Sequence, residues 1–216
     1  MPETFFDPHQ RDTVQAAMAR IIPTDDTPGA TEAGTVDFLD RYLSGTGYIY
    51  AKPDGSGFEQ LTGRQEVAWR QRIDIVRRAY IAGVTLLDER AQQQYGSEFV
   101  ALEPAEQDAI LRELEQPYEQ QEAELEQARV NLYGAPVEPA LQQTSTETDL
   151  GFVPLLALHT RQGFYSDPIY GGNRNRVGWE VIGFPGPTSL AEVHTGTYST
   201  LDYFADDREH PLRKDL

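Results

Sequence analysis

The chain has 216 residues, 35 acidic and 18 basic side chains, a formal net charge of −17 and no cysteine. The absence of cysteine excludes disulfide bonds, thiolate zinc sites, iron–sulfur clusters and c-type haem attachment. The acidic surplus disfavours nucleic acid and anionic membranes as partners, because both attract basic surfaces. The length is typical of one domain, so we predict a single domain over residues 1–216.

Helical periodicity dominates the first three quarters of the chain. Asp7 and Pro8 are typical of a helix start, Gln10 occupies the capping-box position, and Pro23 ends this first helix. Apolar residues then recur at helical spacing in four further stretches. The patterns predict helices at about residues 8–22, 31–44, 63–95, 104–114 and 150–163.

The fold class that follows is mainly α, a helical bundle with an irregular, aromatic and glycine-rich C-terminal arm. We assign the helical part to residues 7–162 and the arm, in which helical periodicity is lost, to residues 163–216. Residues 116–149 are interpreted as a surface insertion. Their Glu- and Gln-rich beginning is either an exposed helix or a mobile insertion, and we favour the exposed helix. No apolar run approaches the ~20 residues that a membrane-spanning helix needs, so direct membrane insertion is not expected.

Few residues stand in a pattern typical of catalysis. The four histidines show no metal-ligand spacing, and the apolar surroundings of His159 favour a core histidine with one satisfied hydrogen bond. Asp25 and Asp26 are interpreted as a solvated turn. The sequence contains no glycine-rich phosphate loop, nucleophile elbow or dinucleotide fingerprint. We therefore predict no catalytic, cofactor-binding or metal-binding residue in this chain.

The most distinctive segment is residues 163–187, GFYSDPIYGGNRNRVGWEVIGFPGP, which combines aromatic residues, glycines and arginines. Aromatic side chains and arginine are typical anchors of protein–protein interfaces, and an arm with little core of its own favours contact with a partner. The alternative is a structural coil that closes over the chain's own helices. We predict that seven arm residues bind the partner: Tyr165, Asp167, Tyr170, Asn173, Arg174, Trp179 and Phe184.

Motifs at both ends of the chain resemble the gluconate 2-dehydrogenase subunit 3 family. The C-terminal motif consists of GFYSDPIYGGNR, VGW and IGFPG within residues 163–186. The N-terminal motif is IIPTDDTPGATEAGTVDFLD at residues 21–40. RRAY at 77–80 and LEPAEQ at 102–107 extend the resemblance over most of the chain. The two end motifs together are specific to the family.

The resemblance implies a small accessory subunit, also called the gamma subunit, of a dehydrogenase complex. The activity would belong to a large FAD-dependent partner of the glucose–methanol–choline (GMC) oxidoreductase type, which oxidises a sugar, polyol or sugar acid. In this family a separate cytochrome subunit can take the electrons. The small subunit would hold no cofactor, since FAD belongs to the partner, and would aid the partner's folding and stability.

The family also implies an export role, because its small subunits often carry a twin-arginine leader that exports the folded flavoprotein with them. The first residues of this sequence show no such leader. We therefore expect a cytoplasmic protein if Met1 is the native start, and a periplasmic one if a leader has been removed. Residues 116–149 are longer than the family's usual link, which indicates an extra surface for this partner.

Two other functions stay open on the sequence. A stand-alone carbohydrate-binding module would use the same aromatic residues to stack on a sugar ring. An independent carboxylate hydrolase would need two of the many acidic residues, and no pattern selects them. If the accessory-subunit hypothesis holds, the acidic charge should lie away from the arm, on the long helix and in residues 115–127, and should keep the chain soluble before assembly.

Overall fold

The computed structural model describes residues 4–115 and 147–198. Within these ranges all regular structure is helical, apart from one isolated antiparallel bridge between Ala51 and Phe58, so the mainly-α prediction is confirmed. None of the helices in these ranges is long and apolar enough to cross a membrane. We number the α-helices in chain order: α1 (Pro8–Ile21), α2 (Ala30–Ala33), α3 (Thr35–Ser44), α4 (Gly63–Tyr95), α5 (104–115, to the limit of the first range), α6 (Phe152–Tyr165), α7 (Val177–Val181) and α8 (Leu190–His194).

Helix α1 begins as the sequence predicts. The Asp7 carboxylate accepts a hydrogen bond from the backbone N–H of Gln10 at 2.8 Å, and the Gln10 side chain accepts one from the N–H of Asp7 at 3.2 Å. This capping box satisfies backbone donors that helix starts otherwise leave unpaired. Pro8 occupies the first helical turn, where its missing N–H costs nothing.

A left-handed glycine divides the predicted helix 31–44 into α2 and α3. Gly34 has a φ of 67°, a conformation that disfavours every residue with a side chain, and its N–H donates to the carbonyl of Thr31 at 3.1 Å. A Cβ atom at Gly34 would lie 3.0 Å from Nη2 of Arg174. The absence of a side chain at Gly34 therefore leaves room for Arg174 of the C-terminal arm beside the start of α3.

The core lies where α1, α3, α4 and α6 meet. Helix α6 packs most extensively against α3 and also contacts α1 and α4. The apolar residues that recur at helical spacing along 63–95 predict one buried stripe, which includes Val67. The stripe is buried from Ile73 to Ala91, including Tyr80 and Leu87, and such burial is the main favourable contribution to folding. Val67 is exposed, because the buried part of α4 begins only at Ile73.

The arm passes through a left-handed turn between α6 and α7. Asn173, Asn175 and Arg176 have φ values of 45°, 55° and 62°, a region that is uncommon outside glycine and in which asparagine is enriched. Helix α7 follows this turn, and the short helix α8 lies further along the arm. The arm is thus irregular in its connections but contains two short helices.

Two glycines bring the arm's backbone against the end of α6. A Cβ atom at Gly172 would lie 2.1 Å from the carbonyl oxygen of Gly163, and one at Gly178 would lie 2.0 Å from that of Phe164. Neither distance leaves space for a side chain, so this close approach requires glycine at both positions. The arm therefore packs onto the bundle by backbone contact.

Most of the predicted surface insertion, residues 116–146, lies outside the described residues, as do residues 199–216 of the arm. The last residues of the predicted insertion, Glu147–Asp149, form a short 3-10 helix in which Glu147 is 5% exposed. Glu147 is therefore buried, whereas the sequence predicts a surface position for it. The expectation that the long helix carries acidic charge is wrong, because α4 contains six arginines and four acidic residues.

Candidate partner interface and an aromatic pocket

Asn173, one of the seven predicted partner-binding residues, is fully buried and binds within the chain. Its backbone N–H donates to the carbonyl of Gly163 at 2.8 Å. Its side-chain Nδ2 donates to the carbonyl of Ser166 at 2.9 Å, and its Oδ1 accepts from the N–H of Gly178 at 2.9 Å. These three hydrogen bonds tie the left-handed turn to α6 on one side and to α7 on the other.

Trp179 is buried as well and fixes the inside of the arm. Its indole Nε1 donates a hydrogen bond to the carbonyl of Tyr165 at 2.8 Å. Its ring meets Phe184 edge to face, with the ring centroids 5.3 Å apart, and a Cβ atom at Gly186 would lie 2.2 Å from the indole. Trp179 and the half-buried Phe184 thus form a small apolar centre of the arm.

Tyr165 and Arg174 are the predicted residues that the described chain leaves most exposed. The side chain of Tyr165 is 42% exposed at the end of α6. The Arg174 guanidinium forms an ion pair with Asp37 of α3, and Asp37 also pairs with Arg11 of α1. An exposed ion pair is worth little by itself, so Arg174 can exchange Asp37 for a carboxylate or carbonyl of another protein at small cost.

The two remaining predicted residues, Asp167 and Tyr170, are half-buried. The Asp167 carboxylate accepts a hydrogen bond from the N–H of Ile169 at 2.9 Å and caps the short 3-10 helix that follows. The Tyr170 hydroxyl accepts one from the N–H of Ala51 at 3.3 Å, and its ring lies 5.6 Å from that of Phe58. Contact of any of the seven residues with a partner stays a prediction.

The arm also exposes aliphatic side chains that the sequence analysis did not single out. Val181 and Ile182 lie at the end of α7 and are 40% and 46% exposed, and Val193 on α8 is 46% exposed. Single exposed apolar residues are common on protein surfaces, but here three of them, together with Tyr165, occur on one short arm. They are additional candidates for an interface.

An aromatic pocket with a volume of about 400 Å³ lies between the bundle and the start of the arm. Tyr165, Ser166 and Tyr170 supply its arm side, so the structure brings together two of the seven predicted residues, Tyr165 and Tyr170. The remaining lining comes from α3, α4, α6 and two connecting segments: Phe38, Tyr42, Tyr48, Ile49, Trp69, Arg72, Glu147 and Gln162. The wall is mostly aromatic, with a few polar groups.

A buried polar network joins the floor of this pocket to the core. The Glu147 carboxylate accepts hydrogen bonds from the Tyr42 hydroxyl and from Nε of Arg72, the latter at 2.5 Å. Its other oxygen lies 3.1 Å from Nε2 of His159. The opposite ring nitrogen, Nδ1, lies 2.9 Å from the Tyr80 hydroxyl. The network therefore holds Glu147 with three partners, which explains why this carboxylate is drawn inward.

The hydrogen bonds also determine the charge of the network. Burial raises the pKa of a carboxyl group, but hydrogen bonds from His159, Arg72 and Tyr42 outweigh it and lower the pKa of Glu147 from 4.5 to about 2. Burial and the neighbouring carboxylate raise the pKa values of Tyr42 and Tyr80 above their ordinary value. Both tyrosines therefore keep their protons at neutral pH, and Arg72 balances the charge of Glu147.

The network refines the prediction for His159. Sequence reasoning favours a core histidine with one hydrogen bond, and the structure has a fully buried ring with two. In the neutral tautomer that fits both partners, Nε2–H donates to Glu147 and Nδ1 accepts from Tyr80. Asp25 is exposed in a turn, where it accepts a hydrogen bond from Thr27, as predicted.

Sequence reasoning missed the residues that form the pocket with the arm. Trp69 is the one residue whose position in the sequence could have indicated a binding surface. It is a tryptophan on the polar face of a predicted helix, among arginines and glutamines. Arg72 and Glu147 could not be identified from the sequence, since they are 75 residues apart and resemble many other charged residues of the chain. Within the described ranges, no three histidine or acidic side chains are arranged to hold a metal ion.

Comparison with known proteins gives one match. The model of the family described as gluconate 2-dehydrogenase subunit 3 matches residues 8–186, which include the whole bundle and the arm through α7. No curated protein and no solved structure matches the chain. The matched region contains the polar network, the aromatic pocket and all seven of the predicted partner-binding residues.

Proposed function

Because the chain belongs to the gluconate 2-dehydrogenase subunit 3 family, we propose that it is a non-catalytic accessory subunit of a dehydrogenase complex. Its partner is a large FAD-dependent GMC-type oxidoreductase that oxidises a sugar, polyol or sugar acid. The chain binds and stabilises this flavoprotein, and FAD belongs to the partner alone. A cytochrome subunit is a further partner in complexes that contain one.

The observation that carries the proposal is the group of exposed apolar and aromatic side chains on the arm, which are its candidate interface. Tyr165, Val181, Ile182 and Val193 are each at least 40% exposed. Full burial of a valine or isoleucine side chain is worth about 1.5–3 kcal/mol. A partner gains the part of this that corresponds to the exposed fraction, so covering these side chains is favourable. The family is named for a subunit of a dehydrogenase, which makes that enzyme the candidate to cover them.

The internal packing of the arm prepares this surface for binding. Asn173 ties the turn to α6 and α7, and Trp179 anchors α7 to the carbonyl of Tyr165. Val181 and Ile182 therefore stand on a segment that is already folded. A preformed surface loses less conformational entropy on binding than a segment that must first fold. The buried residues among the predicted seven thus support the interface indirectly.

The composition of the chain fits a subunit that waits for its partner. The net charge of −17 keeps the free chain soluble through mutual repulsion. Tyrosine, tryptophan and arginine are the residue types that interfaces favour, and the arm contains all three. We expect a large interface of the obligate type.

Co-expression tests the proposal. The candidate flavoprotein partner is produced with and without this chain, and the yield, the thermal stability and the dehydrogenase activity of the flavoprotein are measured. We expect all three to fall when the chain is omitted. Equal values in both preparations would overturn the proposal.

A pair of variants tests the role of the arm. Ile182→Asp adds a charge at an exposed position of the arm, so it should leave the isolated chain folded and reduce its recovery with the flavoprotein. Val100→Asp, at an exposed position outside the arm, is the matched control and should not change recovery. If both variants are recovered equally well, the arm is not the interface.

A further inference from the structure

We propose that the aromatic pocket between Trp69 and Tyr165 binds a small, flat, uncharged ring that carries carbonyl oxygens. The pocket volume of about 400 Å³ lies within the range of about 300–1,000 Å³ that small-molecule sites occupy. Binding needs only this chain and does not depend on the proposed flavoprotein partner. The proposal is therefore separate from the accessory-subunit function.

The shape of the ligand follows from the walls. Six aromatic side chains and Ile49 line the pocket around its polar groups: Phe38, Tyr42, Tyr48, Trp69, Tyr165 and Tyr170. Aromatic rings bind other flat rings through stacked and edge-to-face contacts. Trp69 is held in place for such contact, because its Nε1 donates to the Tyr50 hydroxyl at 3.2 Å and the Arg72 guanidinium lies 4.9 Å from its ring centroid.

The polar groups of the pocket favour a ligand that accepts hydrogen bonds. Ser166 lines the pocket, but its Oγ atom is buried without a hydrogen-bond partner among the described residues, so it must rotate about χ1 to donate to a ligand. The Arg72 guanidinium gives its Nε–H to Glu147, and its two terminal amino groups can only donate. Both oxygens of Glu147 already accept hydrogen bonds. Carbonyl oxygens can accept from these donors without adding donors of their own, whereas the hydroxyl groups of a sugar accept but also bring donors.

The charge of the pocket favours an uncharged ligand. Glu147 is ionised and Arg72 is positive, and the two form an ion pair with a 2.5 Å contact, so their charges cancel locally. The net charge of −17 on the whole chain repels anions at longer range. This charge would repel a carboxylate ligand, and the positive charge of Arg72 would repel a cation. An uncharged ring avoids both costs.

Equilibrium dialysis of the full chain tests the proposal with three probes. The first is 2-methyl-1,4-naphthoquinone, which is flat, uncharged and carries two carbonyl oxygens. The chain has no cysteine, so this probe cannot form thiol adducts with it. The second is 2-methylnaphthalene, which has the same ring without carbonyls, and the third is methyl α-glucoside. We expect the naphthoquinone to bind at least 10-fold more tightly than either of the others.

Two variants and a matched control locate the binding. Ser166→Ala removes the unpartnered hydroxyl, so it should preserve stability and weaken naphthoquinone binding about 3- to 10-fold. Trp69→Ala removes an aromatic wall and should weaken binding more than 10-fold. Thr13→Val removes another buried, unpartnered hydroxyl, in α1 and outside the pocket, and should leave binding unchanged.

Three results would overturn the proposal. The first is the absence of naphthoquinone binding to the folded full chain. The second is binding of methyl α-glucoside as tight as that of the naphthoquinone, which would indicate a sugar site. The third is naphthoquinone binding that Ser166→Ala and Trp69→Ala leave unchanged, because the probe would then lie elsewhere.

Discussion

Nε2 of His159 lies 3.1 Å from Oε2 of Glu147, and this contact joins α6 to the short 3-10 helix Glu147–Asp149. Tyr42 and Arg72 hold the other carboxylate oxygen. A carboxylate with three hydrogen-bonding partners is more stable ionised than protonated. The contact therefore makes the stability of the chain depend on pH.

We predict that Glu147→Gln removes a pH-dependent part of the stability. The pKa of Glu147 is about 2 in the folded chain against a reference value of 4.5. A lowered pKa stabilises the folded state above pH 4.5, and this stabilisation is lost as the pH falls from 4.5 to about 2. The shift corresponds to about 3 kcal/mol of unfolding free energy. Urea unfolding of both proteins at pH 7 and pH 3 measures it.

The expected result is a large difference in unfolding free energy between wild type and Glu147→Gln at pH 7 and a smaller one at pH 3. Glu98→Gln is the control, because Glu98 is exposed, and it should differ little from wild type at either pH. A difference for Glu147→Gln that is the same at both pH values would contradict the assigned charge of the network.

We predict that Asn173→Ala destabilises the chain by about 3 kcal/mol. The substitution leaves the part-buried carbonyl of Ser166 and the buried N–H of Gly178 without their side-chain partners. The loss of a partner by a buried group costs about 1–3 kcal/mol. Asn175→Ala is the matched control, since Asn175 has a similar positive φ but is exposed. It should cost about 1 kcal/mol or less. Equal losses in urea unfolding would mean that the hydrogen bonds of Asn173 contribute nothing.

We predict that Gly178→Ala displaces the arm from the bundle. Its new Cβ atom would lie 2.0 Å from the carbonyl oxygen of Phe164, so either α7 or the end of α6 must move. The fluorescence of Trp179, measured in a Trp69→Phe background, should shift toward that of a solvent-exposed indole. Gly47→Ala is the control, because a Cβ atom there has nothing within 4 Å. An unchanged spectrum for Gly178→Ala would contradict the close packing of the arm.

Local patterns predicted the parts of the fold that local interactions determine. The long helix α4 begins at Gly63 and ends at Tyr95, as its periodicity and the following Gly96 indicate. The capping box of Asp7 and Gln10 likewise depends on residues three positions apart. The division of the predicted helix 31–44 into α2 and α3 was harder to predict. It depends on the left-handed conformation of one residue, Gly34, and the arm that packs beside this residue is distant in sequence.

The candidate site was only partly predictable, because its residues meet through long-range contacts. The aromatic and glycine content identified the arm, but the sequence could not separate buried from exposed members. Trp179 and Asn173 are enclosed by the arm's own packing, whereas Ile182 is exposed and was not chosen. Glu147 could not be found at all, because its burial depends on partners from α3, α4 and α6.

The accessory-subunit assignment is tested most directly by size-exclusion chromatography with light scattering on the co-expressed chain and flavoprotein. The account predicts one peak that contains both chains and the flavin absorbance, that persists at high salt because the interface is apolar, and that splits when Ile182→Asp is introduced. Elution of the wild-type chain apart from a fully active flavoprotein would contradict it.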